Sequence, residues 1–188
     1  MNDEPIEEIT SQEINYEEVV VGTIPDPKIE YELFLSHVTD KNTPQQKLIT
    51  EICRQLEEIH GLPTFLDKNK ITSNPVNIIN KAMNRSRIMI PICTPEYINL
   101  FNNESTSWPS RELGAFIIYE RQQRLDKIIP VLLDITRDKF QEPEGGIPTI
   151  LTKRNVVIPS NYTEDIEIVK LKIEEIVKIY KDYLKQLN

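Results

Sequence analysis

From Tyr31 onward, short apolar runs alternate with stretches whose apolar residues recur every three or four positions. That alternation predicts strands of a parallel sheet separated by covering helices. Tyr31-Glu32-Leu33-Phe34-Leu35-Ser36 reads as the first strand. Thr43-Pro44-Gln45-Gln46 has the form of a helix start, with Thr43 as N-cap, Pro44 at the first helical position and Gln46 reaching back. Leu48, Ile49, Ile52, Cys53, Leu56 and Ile59 follow at helical spacing, and Gly61 can end that helix in a left-handed conformation. Residues 62–66 are the predicted second strand, and the loop 67–74 leads to a short helix from Pro75 to about residue 84.

The run 88–93 is apolar throughout, as expected of a strand buried on both faces. Pro91 within it cannot donate to a ladder and ordinarily marks an edge or a bulge. A helical turn or two is predicted over 95–101, a polar loop over 102–107 and a helix from Pro109 to about residue 124. Residues 128–134 and 155–158 read as the fourth and fifth strands, with mostly loop between them. The last predicted helix starts near Glu164 and carries Ile166, Val169, Ile173, Ile176, Tyr180, Tyr183 and Leu187 on one stripe. Such a stripe suits a helix packed on its own sheet better than a coiled coil. Residues 1–28 are rich in acids and read as a flexible tail, which leaves 29–188 as one domain.

Composition narrows the partners. A formal charge of −8 disfavours the nucleic-acid backbone and anionic membrane surfaces, which are held by clustered Lys and Arg. No run of about 18 apolar residues occurs, so direct membrane insertion is not expected. Cys53 and Cys93 lie in apolar stretches without a disulfide framework or metal-ligand spacing. Buried free thiols and a cytoplasmic setting are the expectation, with no metal and no resident cofactor.

Generic chemistries fall away in turn. Neither GxGxxG nor GxxxxGK[ST] occurs, so the usual dinucleotide and phosphate cradles are missing. The first and third strands end in Ser36-His37 and Cys93-Thr94, which do not supply the clustered carboxylates of a phosphoacceptor site. His37 and His60 are the two histidines, and no GxSxG elbow accompanies His37.

Five segments in order resemble the Toll/interleukin-1 receptor (TIR) domain family. Residues 31–37 look like its first strand box, and Phe65-Leu66-Asp67 with the loop to Pro75 like its second strand and following loop. Residues 86–97 are similar to the third strand and its exit, where family members also carry proline. Trp108-Pro109-Ser110-Arg111-Glu112-Leu113 resembles the family's Trp-x-x-x-Glu-Leu element in the form bacterial members carry, and residues 129–134 resemble the fourth strand. The loop 69–75 lacks the glycine many members have there, and His37-Val38-Thr39 lacks the arginine and glycine that some plant and animal members carry.

The resemblance implies a flavodoxin-like three-layer α/β sandwich around a five-stranded parallel sheet. It further implies an NAD+ nucleosidase that splits the nicotinamide–ribose bond, with NAD+ as substrate and activation by association with other TIR domains in defence signalling. Glu112 then takes the catalytic role. Its bland alternative is an exposed glutamate in a first helical turn, favoured by the helix dipole. Ser36, His37 and Trp108 fall where ligand contacts would lie, and Lys68, Lys70 and Arg111 are cations that could meet a pyrophosphate. A non-catalytic adaptor acting through loop 67–75 is the rival reading, and a nucleotide-sugar or deoxyribosyl transferase on a similar fold a third.

Overall fold

The computed structural model describes residues 28–38, 43–66, 75–123, 126–133, 135, 155–159, 161–162 and 166–187. Five strands, β1 (Tyr31–Ser36), β2 (Thr64–Leu66), β3 (Ser86–Cys93), β4 (Val131–Leu133) and β5 (Val156–Ile158), form one sheet in the order β2-β1-β3-β4-β5. Every pairing is parallel. The described helices are α1 (Pro44–Glu58), α2 (Pro75–Asn84), α3 (Pro95–Asn103), α4 (Trp108–Gln123) and α5 (Ile166–Gln186). This is the flavodoxin-like order, with helices on both faces.

Period-two alternation sorts each strand's side chains between two cores. Leu33 and Leu35 of β1, Ile88, Ile90 and Ile92 of β3, and Val131 and Leu133 of β4 pack with α1 and α5 in an aliphatic core. Phe34, Met89, Cys93 and Leu132 point the other way, into a core shared with Ile79, Tyr97, Leu113 and Phe116. The α5 stripe is accounted for by the first core: Val169, Ile173, Ile176, Tyr180 and Tyr183 are buried there, while Leu187 is exposed. Cys53 and Cys93 are buried free thiols.

Pro91 lies inside β3, opposite Ser36, rather than at an edge. Met89 N–H donates to the Lys127 carbonyl, and Ile129 N–H donates to that of Met89. Two residues on, that pattern would need an N–H from Pro91, which has none. The ladder resumes at Ile92↔Val131, leaving Met89↔Ile128 as an isolated bridge. The fourth strand therefore starts later than the predicted residue 128, and the second and third strands also shift by two residues at their starts.

Helix starts follow local chemistry. Thr43 Oγ1 accepts the Gln46 N–H at 3.2 Å, with Pro44 at the first position. The return half of a capping box is missing, since Gln46 Oε1 has no hydrogen-bond partner among the described residues. Gly61 adopts φ 63°, and the N–H groups of Gly61 and Leu62 turn back onto the carbonyls of Glu57 and Leu56. These bonds satisfy carbonyls that the helix end leaves open.

A side chain at Gly61 would meet nothing within 4 Å, so only its backbone conformation resists substitution. Gly61→Ala should cost about 1–2 kcal/mol, the penalty of a left-handed residue with a Cβ. In urea unfolding the midpoint should fall while the slope stays unchanged.

Candidate functional site

In an open parallel sheet of this order, ligands bind beyond the carboxyl ends of the strands, where the connections diverge to opposite sides. Here that point falls between β1 and β3, and a cleft of about 300 Å3 opens beside it. The exit of β1, from Leu35 to Val38, forms one side, and Leu100 of α3 with Glu104 and Ser107 of the α3–α4 connection another. Trp108, Pro109 and Glu112, in the first turns of α4, complete the described lining. The volume is at the lower end of the roughly 300–1,000 Å3 typical of small-molecule sites.

The start of α4 is fixed to the end of α3 by two serines. Ser107 caps α4, its Oγ accepting the Ser110 N–H at 3.3 Å and donating to the Leu100 carbonyl at 3.1 Å. Ser110 Oγ in turn reaches the carbonyls of Phe101 at 3.1 Å and Glu104 at 2.9 Å. Carbonyls at the end of α3 and just beyond it thus serve to hold α4. Its helix begins one residue before Pro109, so Trp108 belongs to the first turn.

Glu112 is not an exposed first-turn carboxylate; it is 6% exposed. Ser36 Oγ donates to Glu112 Oε2, and Ser36 Oγ lies 2.9 Å from the Tyr97 hydroxyl. Tyr97 is placed by the cap of α3, where Thr94 Oγ1 accepts the Tyr97 N–H at 3.1 Å. Burial holds the Tyr97 phenol well above its ordinary value, and the nearby Cys93 and Glu112 add to the rise. Burial likewise pushes the Cys93 thiol up. Both groups are therefore neutral at ordinary pH.

Of the residues singled out from the sequence, Ser36, His37, Trp108 and Glu112 line this one cleft. Ser36 turns its hydroxyl onto Glu112, and His37 is half-buried at the mouth of β1. Arg111 is exposed and outside the lining; its guanidinium stands 5.8 Å from the centre of the Trp108 ring. That contact braces Trp108 from behind by a cation–π interaction. Lys68, Lys70 and the rest of loop 67–74 lie outside the described residues. Sequence reasoning gave no role to Tyr97, Ser107 or Ser110; the Thr94-Pro95 helix start, which fixes which way Tyr97 faces, was the available signal. Among the described residues no group of three or more His, Cys, Asp or Glu could hold a metal ion. No described helix is long and apolar enough to cross a membrane.

The Tyr97 shift has a definite sign for stability. A phenol whose pKa is higher in the folded than in the unfolded chain contributes stability below the unfolded value, near 10, and loses it as pH rises further. Tyr119, Tyr180 and Tyr183 are shifted in the same direction and form a common background. Urea unfolding of wild type and Tyr97→Phe should therefore run in parallel up to about pH 10, after which wild type should lose stability faster.

Comparison with known proteins agrees with this architecture. The TIR domain family matches residues 33–167. No curated protein matches the chain. Among solved structures, the TIR domains of the activated Roq1 resistosome, which directly recognises the pathogen effector XopQ, align with a TM-score of 0.56 and 18% identity, over 79% of this chain and 98% of theirs. A metazoan TIR-STING receptor from C. gigas aligns at 15% identity with a TM-score of 0.47, over 77% of this chain and 40% of its own. At 18% identity the Roq1 domains speak to the fold, whereas the family match spans most of the sequence: the chain belongs to the TIR domain family.

Proposed function

We propose that this chain is an NAD+ nucleosidase that breaks the bond between nicotinamide and ribose, with Glu112 as its catalytic carboxylate. The observation that carries the reading is a buried carboxylate, oriented by Ser36, at the β1–β3 ligand position of the sheet. Cleavage sends the C1′–N bonding pair to the nicotinamide ring nitrogen, neutralising its positive charge. The leaving group therefore needs no proton, and one carboxylate suffices where ordinary glycosidases use two. Glu112 offsets the positive charge that develops on the ribose and holds a ribose hydroxyl as acceptor. Water then attacks C1′ and loses a proton, giving ADP-ribose; attack by a nitrogen of the same molecule gives a cyclic relative instead.

The surroundings suit this division of labour. Leu35, Val38, Leu100, Trp108 and Pro109 supply apolar walls that raise the effect of a fixed charge. Activation by self-association, within defence signalling, is part of the proposal; the similar Roq1 TIR domains belong to an activated resistosome.

Nicotinamide release from NAD+ should rise more than linearly with protein concentration. Glu112→Ala should lower it by at least about a hundredfold with the circular dichroism of the fold unchanged. Release that is unaffected by Glu112→Ala would refute the assignment. No release at any concentration, together with partner binding lost on substitution in loop 67–75, would favour a non-catalytic adaptor.

A further inference from the structure

The buried hydroxyls beside the cleft form a chain with a direction. A hydroxyl carries a single hydrogen. Ser36 places its own on Glu112 Oε2, so the 2.9 Å contact between Ser36 and Tyr97 must be filled by the hydrogen of Tyr97. Tyr97 therefore donates to Ser36, and Ser36 donates to the carboxylate. Each bond in such a chain polarises and strengthens the next. Its members are deeply buried, Tyr97 at 1% and Ser36 at 2% exposure, so water cannot readily replace either.

From this geometry we infer that Tyr97 is a positioning residue for Glu112, acting through Ser36. The inference rests on the reading of Glu112 as the cleaving carboxylate and assigns what aims it. A serine hydroxyl turns freely about its C–O bond, and with Ser36 alone its hydrogen could be given to other acceptors. The Tyr97 donor occupies the Ser36 lone pair and leaves Glu112 as the direction for that hydrogen. The Tyr97 phenol stays protonated at ordinary pH and so keeps a hydrogen to give to Ser36. The other titratable or charged groups around the chain are Cys93 on β3, His37 at the end of β1, Glu104 in the cleft wall and Arg111 on the exposed side of α4. Tyr97→Phe alters none of them and retains the buried ring.

The test compares wild type, Tyr97→Phe, Ser36→Ala and the double variant by two readouts. One is kcat and KM for NAD+; the other is the titration of the Glu112 carboxyl carbon by NMR, which needs no turnover. Tyr97→Phe should lower kcat about tenfold with little change in KM, the scale of one lost buried hydrogen bond. It should also move the Glu112 titration to higher pH, since the ionised form loses support. The double variant should match Ser36→Ala, because the hydrogen bonds that link neutral Tyr97 to Glu112 run through Ser36. Independent, additive losses would overturn the inference, as would a Glu112 titration unmoved by Tyr97→Phe in a folded protein. A wild-type chain that does not cleave NAD+ would overturn the proposed function alone, because the titrations would still decide the positioning role.

Discussion

One aromatic contact sets the height at which α4 crosses the sheet. Phe116 of α4 packs on Phe34 of β1 with ring centres 5.9 Å apart. Helix and strand run in opposite directions, so the residue one turn before Phe116 faces the residue two positions after Phe34. Four residues of helix rise about 6 Å, and two residues of strand about 6.6 Å. The two spacings nearly agree, and Glu112 meets Ser36. Phe34 is itself held by Phe65 of β2, nearly parallel at 5.3 Å, and Phe116 by the edge of Tyr119 at 5.8 Å. Aromatic pairs favour such offset and edge-on arrangements, so this row resists sliding better than aliphatic packing would. The placement of a polar pair thus depends on an apolar one.

The two faces of the sheet carry different duties. Against α1 and α5 lies a core made mostly of branched aliphatic side chains, with Tyr162, Tyr180 and Tyr183 among them and the Tyr180 hydroxyl donating to Glu32. The face under α2, α3 and α4 combines aromatic rings and methionine with Ser36, Tyr97 and Glu112. A buried carboxylate is costly unless hydrogen bonds are made to it. Here β1 supplies a buried donor, Ser36, which is backed in turn by the buried hydroxyl of Tyr97.

What could be read from the sequence was what is decided locally. The Thr43-Pro44 start, the Gly61 stop, the buried third strand and the stripe of α5 each rest on residues within a turn or two of one another. The fourth strand was read too long because the proline in β3 interrupts its pairing, and Pro91 acts on a partner some 40 residues away in the chain. Ser36 and Glu112 are 76 positions apart, and nothing in their neighbourhoods announces the bond; only the family resemblance brought both into view. Tyr97 was given no role from the sequence. Its ring does pack in the core, and the hydroxyl that matters finds its partner 61 residues earlier. Arg111, one position from Glu112, was considered with it, yet adjacent residues on a helix point about 100° apart, and Arg111 faces outward.

That outward turn bears on how a dinucleotide would lie. Glu104 and Glu112 are the carboxylates in the described lining, and no lysine or arginine joins them there. Under the proposed reading, this polarity selects the cationic nicotinamide end for the cleft and repels the pyrophosphate from it. The pyrophosphate must then draw its cations from beyond this wall. The carboxylates need no high specificity to do this, because a cationic ring and an anionic pyrophosphate on one substrate make a single negative cleft an orienting device. Once the nicotinamide has left as a neutral molecule, the attraction that seated it is gone. The same field that aligns the substrate therefore gives the product no reason to stay.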